Sequence, residues 1–168
     1  FFAGGKLKKV AVDGGPTLIL CDAAGQGGTS NQDDVILFEH QGSLHRVSAA
    51  GGGSTAIRAP DKSKNESSLT WPSFLPDGRH FLYVAVISEQ GRTEVRVGSL
   101  DSDDDKALFA GNSRALYTAG HVLFVRDGTL MAQPIDARSF SLSGDVFPIA
   151  EGIAFSPGNG NAAFGAST

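Results

Sequence analysis

One cysteine, one methionine and one tryptophan occur in 168 residues, and these scarcities already exclude several kinds of protein. A lone thiol, Cys21, can build neither an internal disulfide nor a thiolate metal cluster. No apolar run comes near the ~20 residues that a membrane-spanning helix needs, and long helical patterns are nearly absent. Basic residues form no stripe: 14 Lys and Arg are mixed along the chain with 18 Asp and Glu, for a net charge of -4 and a pI of about 5.5. Nothing is therefore set up to neutralise a phosphate backbone, and nucleic acid is not an expected partner. The opening Phe1-Phe2-Ala3-Gly4-Gly5 lacks the basic and long apolar segments of a signal peptide. It reads as the tail of a strand entering a turn, and no membrane contact is expected of this segment.

What is present points to an all-β chain. Hydrophobic residues make up 40% and charged residues 19%, enough for a single domain that buries roughly 70% of its unfolded surface. Twenty-two Gly and seven Pro supply the turns that many short strands require. The clearest unit runs from Trp71 to Gly111. Trp71 to Leu75 is an apolar run that ends at Pro76-Asp77-Gly78, where Pro presets φ, Asp can bond its own backbone and Gly accepts a positive φ. Phe81 to Ile87 is aromatic and β-branched, and Glu89-Gln90-Gly91-Arg92 closes it before Val95-Arg96-Val97 alternates at period two. Asp101 to Asp105 then turns the chain into Ala107 to Phe109, completing a four-stranded antiparallel sheet.

The rest of the chain repeats this unit. Phe1 to Gly15 lies without gaps on Phe38 to Gly52 at a shift of 37 residues, matching Leu7 to Leu44, Val10 to Val47 and Gly14-Gly15 to Gly51-Gly52. Third strands recur at Leu7, Leu44, Val95 and Leu130. Second strands recur as Ile36-Leu37-Phe38, Phe81-Leu82-Tyr83, Val122-Leu123-Phe124 and Ala162-Ala163-Phe164, with aromatic positions 45, 41 and 40 residues apart. That period fits a β-propeller blade of about 40 to 45 residues. In this register, strands three and four of a first blade fall within residues 1–22, whole blades at about Gly28 to Arg58, Leu69 to Gly111 and Arg114 to Gly152, and strands one and two of a last blade in residues 153–168. Three arrangements are open: a four-bladed ring closed within the chain, half of an eight-bladed ring made with a second copy, or a piece of a longer propeller.

The run Trp71-Pro72-Ser73-Phe74-Leu75-Pro76-Asp77-Gly78-Arg79, followed by Phe81-Leu82-Tyr83-Val84, resembles the WD40-like PD40 repeat of TolB-type propellers. With Gly4-Gly5-Lys6-Leu7-Lys8-Lys9-Val10 and Leu123-Phe124-Val125-Arg126-Asp127-Gly128-Thr129-Leu130, it is similar to propellers attached to bacterial membrane serine/threonine kinases. The resemblance implies a non-catalytic sensor or protein-binding propeller on the extracytoplasmic side. The Pro-Asp-Gly turn survives in full only once, and no kinase motif is present.

Several local patterns suggest chemistry and have plainer readings. Asp101-Ser102-Asp103-Asp104-Asp105 offers hard oxygen ligands, but Lys106 stands where a calcium loop needs Gly, so a solvated turn is expected. His40, His45, His80 and His121 have no metal-ligand spacing. Gly158-Asn159-Gly160-Asn161-Ala162-Ala163 lacks the helix a dinucleotide fingerprint requires and reads as a turn. Gly111-Asn112-Ser113-Arg114-Ala115 reads as an interblade loop, not a nucleophile elbow, and the sequon Asn65-Glu66-Ser67 as an exposed loop.

The expected function is a non-catalytic protein-binding or sensing scaffold without cofactor or metal, whose partner is another protein or a second copy. The alternative is a propeller-type glycosidase, lyase or peptidase-associated domain with acid/base residues at the channel mouth. Mostly Ser, Thr, Ala and aromatic residues occupy the first strands, which disfavours it. The face shared by interblade loops and the turns between strands two and three should carry the contacts. Its candidate binding residues are His40, Arg92, Arg126 and Asp127, with the loop Ala59 to Ser68 beside them and Trp71 as an aromatic anchor at the start of a channel-side strand.

Overall fold

The computed structural model describes residues 1–88, 92–156 and 158–166. The turn expected at Glu89-Gln90-Gly91 lies outside the described residues. Four sheets and one hairpin follow in chain order, all antiparallel. The first sheet holds β1 (Phe2–Ala3), β2 (Lys6–Lys9) and β3 (Leu18–Asp22), and the second β4 (Gly28–Ser30), β5 (Val35–His40), β6 (Ser43–Ser48) and β7 (Thr55–Arg58). The third holds β8 (Glu66–Phe74), β9 (His80–Ile87), β10 (Arg92–Ser99) and β11 (Asp105–Ala110). In the fourth, β12 (Ala115–Thr118), β13 (His121–Arg126) and β14 (Thr129–Asp136) are followed by β15 (Ser141–Leu142) and β16 (Phe147–Ala150), which both pair with β14. A hairpin of β17 (Phe155–Ser156) and β18 (Asn161–Ala162) ends the series.

Turn chemistry writes the repeat into the backbone. Gly4-Gly5, Gln41-Gly42 and Asp127-Gly128 each place two successive residues at positive φ between strands two and three, the signature of a type I′ turn whose twist matches the strands it joins. Gly14-Gly15 at φ 91° and 121° and Gly51-Gly52 at φ 90° and 120° repeat one conformation 37 residues apart.

The second and third sheets bury both faces, one against each neighbour. Phe81, Tyr83 and Ala85 of β9 join Leu37, Leu44, Leu69 and Phe74 between the second and third sheets. Leu82 and Val84 join Val95, Val122, Phe124 and Ile135 between the third and fourth. Leu7, Leu20, Phe38 and Val47 fill the space between the first and second. A strand sandwiched in this way reads as a continuous apolar run, because successive residues serve opposite cores. The first strands β4, β8 and β12 touch across successive sheets, so they form the inner wall of the row.

Large exposed apolar side chains belong to the two outer sheets: Phe1, Val10, Val12, Leu18 and Ile19 in or beside the first, Phe147 and Ile149 on β16. Val10 is 47% exposed whereas Val47, its repeat counterpart, is 3% exposed. The β17–β18 hairpin pairs with no strand of the first sheet among the described residues. Closure within the chain, one of the three arrangements left open by the repeat, is thus not the one adopted.

Two expectations need correction. The first strand of the third sheet starts at Glu66, five residues before Trp71, because β9 continues to Ile87 and supplies a partner for Glu66. Glu66 is therefore 8% exposed, and the sequon region is part strand instead of loop. The acidic run also divides: Asp101 to Asp104 are exposed, but Asp105 opens β11 and turns inward onto an arginine.

Candidate functional site

A cleft of about 480 Å³ opens beside the interblade loops, and none of His40, Trp71, Arg92, Arg126 and Asp127 lines it. Gln26 and Glu39 come from the second sheet and the loop before it, Ser68, Thr70 and Thr93 from the third, Asn112 from the following loop, and Asn159 from the last turn. Hydroxyls and amides thus dominate the polar lining. Glu39 is its carboxylate, and both oxygens are engaged: Gln26 N donates to Oε2 and Gly42 N to Oε1, each at 2.8 Å. Thr93 Oγ1 donates to Gly111 O at 2.5 Å. Backbone groups thus hold the Glu39 and Thr93 side chains in place.

The predicted contact residues fall into two groups. His40, Arg92, Arg126 and Asp127 stand at the same end of successive sheets, at or beside the turn between strands two and three. Each packs locally. The His40 Nδ1 lies 3.1 Å from Ala24 O, Arg92 bonds Glu94 Oε1 at 2.9 Å, and the Arg126 guanidinium lies 5.4 Å from the Phe124 ring centre. Trp71 is elsewhere. It sits in mid-strand at a bulge, where Trp71 and Pro72 face the single residue Tyr83 between the pairs Thr70–Val84 and Ser73–Leu82. Its φ is +55°, and its indole Nε1 donates to Asn159 O at 2.5 Å.

Below the cleft the inner wall encloses a space of about 110 Å³ bordered by Gly27, Thr29, Trp71, Ser73 and Arg114. A third space, bordered by Asn31, Ser73, Phe74 and Tyr117, continues towards the opposite face. These spaces follow the first strands in residue order, from Ser68 and Thr70 through Trp71 and Ser73 to Phe74 and Leu75. Ser113 is no nucleophile: its Oγ accepts from Val125 N at 2.8 Å and donates to Arg114 O at 3.0 Å.

Two features escaped the sequence reading. Arg96 is 7% exposed and gathers three carboxylates, bonding Glu66 Oε1 and Asp105 Oδ2 at 2.7 Å and Glu94 Oε2 at 2.8 Å. Tyr83 and Lys64 also donate to Asp105, at 2.8 and 3.0 Å. Burial alone would raise the Asp105 pKa, but the bonds from Tyr83, Arg96 and Lys64 hold it at about 2. This cluster pins the interblade loop carrying Lys64 and is structural. The other feature is Glu39, whose repeat counterparts Phe2, Val84 and Val125 are apolar. A carboxylate where the repeat asks for an apolar residue was the available signal.

Among the described residues no group of three or more His, Cys, Asp or Glu could hold a metal ion. His40 and His45 contact only edge to face at 5.3 Å, and His80 pairs with Asp77 at 2.6 Å.

No known family model matches the chain, and no curated protein matches it in sequence. Solved structures do. The crystal structure of TolB from Acinetobacter baumannii is 20% identical at a TM-score of 0.61, covering 82% of this chain and 36% of that one. The nidogen/laminin complex supplies a chain 14% identical at 0.64, covering 90% and 63%. The β-propeller domain of the Trilobed protease from Pyrococcus furiosus, which has an open velcro topology, is 10% identical at 0.55, covering 79% and 45%. The fold is that of a β-propeller built largely from four-stranded blades and not closed on itself. The chain spans less than two thirds of each of these structures.

Proposed function

We propose that this chain is a β-propeller segment acting as a non-catalytic protein-binding or sensing scaffold, with its contact region at the cleft. One observation carries this reading: the cleft is lined by hydroxyls and amides, and its carboxylate, Glu39, already accepts two backbone N–H bonds. A general acid or base needs a free, suitably placed proton site, whereas adaptable hydroxyl and amide groups on a rigid frame suit recognition. Nidogen, one of the similar structures, is seen with the protein laminin, and another is part of a protease, so residues and not fold decide between binding and catalysis.

The same reading extends to closure by a second copy. Phe164 holds the repeat position of Phe1, so residues 161–163 of another molecule would continue the strand of β1 and cover Val10, Phe1 and their apolar neighbours. Ring closure of this kind pairs open edges and hides both outer faces.

Selection of a displayed peptide library on the immobilised protein tests the cleft. Selected peptides should lose about tenfold or more in affinity with Ser68→Trp, which fills the cleft, and bind Arg138→Ala unchanged. Turnover of glycosides, polyuronates or peptides that Glu39→Gln abolishes would instead establish the enzyme alternative.

A further inference from the structure

Arg114 lies at the head of β12, on the inner wall, with an unusual lack of counter-charge. Its Nε is buried without a hydrogen-bond partner. Its Nη2 donates to the Phe164 carbonyl, and the guanidinium stacks 5.0 Å from the Phe164 ring. No carboxylate pairs with it among the described residues, although Arg96 one sheet away has three. Burial accordingly pushes the Arg114 pKa down with nothing to offset it. A half-buried cation with one buried nitrogen left unpaired is costly, and proteins normally place a carboxylate beside it.

The space that Arg114 borders has the composition such a partner would need. It measures about 110 Å³, several times the ~30 Å³ that one water takes in the liquid. Thr29 and Ser73 bring hydroxyls to its wall, and no acidic residue borders it. Trp71, at the left-handed φ of +55°, fits between Gly27 and Gly160. Backbone held in a sparsely populated region by its surroundings is often found at ligand clamps.

We propose that this space is a carboxylate-binding site in which the Arg114 guanidinium, aided by Ser73 and Thr29, receives one small carboxylate. The carboxylate comes from a free monocarboxylic acid or from the end of a peptide. The site stands apart from the cleft reading, since it needs no protein partner on the outer face.

Trp71 is the single tryptophan and borders the site, so its emission reports occupancy. Sodium acetate, Gly-Gly-Gly and Gly-Gly-Gly-amide would each be titrated into the full chain at neutral pH, with ionic strength held constant by sodium chloride. The expected result is a saturable change with acetate and with the free tripeptide but not the amide. Tighter binding of the tripeptide identifies a peptide end as the source, and equal or weaker binding a free acid. Arg114→Gln should weaken half-saturation by about tenfold or more, and Ser73→Ala by about threefold, in keeping with a charged and a neutral hydrogen bond. Ser73→Ala removes only a hydroxyl and decides the matter should Arg114→Gln fail to fold. Failure of acetate and the tripeptide to saturate, or equal saturation by the amide, or half-saturation unmoved in Ser73→Ala and any folded Arg114→Gln, would overturn the site.

Discussion

The indole nitrogen of Trp71 donates to the carbonyl of Asn159 at 2.5 Å, joining the first strand of the third sheet to the turn of the last hairpin 88 residues away. The ring is held on both sides. A Cβ on Gly27 would stand 2.6 Å from it, and one on Gly160 3.3 Å from its nitrogen. Trp71→Phe keeps most of the packing and loses the donor, so it should cost about 1 kcal/mol. Trp71→Ala should cost about 2 kcal/mol or more, since this half-buried ring leaves a hole beside the core. Urea unfolding of both variants, followed by circular dichroism, checks the order.

Gly25 offers a sharper test of the loop under the cleft. An added Cβ would lie 1.8 Å from the Glu39 carbonyl oxygen, a backbone atom that cannot swing away. Gly25→Ala should therefore destabilise by more than about 3 kcal/mol through forced displacement of the strand. Gly53→Ala, where nothing lies within 4 Å, should change the unfolding midpoint little. Equal midpoints for the two variants would contradict the close approach.

Arg96 is the centre of a charge cluster buried between β8, β10 and β11. Removing it leaves Glu66, Glu94 and Asp105 without their shared cation, and Arg96→Ala should cost about 3 to 5 kcal/mol. The combined change Arg96→Met, Glu66→Gln, Asp105→Asn removes two of the three stranded charges, leaving Glu94 to Arg92, and should recover part of the loss. Chemical denaturation of the single and triple variants measures the difference.

Acid should undo the same cluster in a defined window. Asp105 has a pKa of about 2 in the folded protein and about 3.9 when unfolded. Its folded value is depressed, so its contribution is present above about pH 4 and is lost as pH falls towards 2. The depression corresponds to about 3 kcal/mol. Urea midpoints measured from pH 6 down to pH 2.5 should fall more steeply for the native protein than for Asp105→Asn. Parallel curves would show that another carboxylate governs the acid limb.

Residues whose role is local were readable from the chain. Gly14-Gly15 and Gly51-Gly52, the I′ pairs, and the apolar run Phe81 to Ala85 each announce their conformation within a few positions, and repetition multiplied the signal. Long-range polar pairing was not readable. Arg96 sits in an alternating strand like any solvent-facing arginine, and only the fold reveals that Glu66, 30 residues earlier, and Asp105, 9 later, converge on it. Asp105 was hidden within a run of similar residues. Trp71 stands out in the sequence, but its mid-strand place is not legible there, because the bulge at Trp71-Pro72 has no marker beyond the proline. That His40, Arg92, Arg126 and Asp127 share one end of their sheets is legible from their turns. The cleft is built from hydroxyls and amides that carry no pattern in sequence.

Light-scattering mass across a dilution series tests the central claim, that repeated blades leave two apolar outer faces for a second copy to cover. At tens of micromolar the protein should have twice its 17.4 kDa chain mass, and Val10→Asp, at a position 47% exposed here but 3% exposed in its repeat counterpart, should return it to the single-chain mass. A single-chain mass for the native protein at every concentration, or a double mass unchanged by Val10→Asp, would contradict the account.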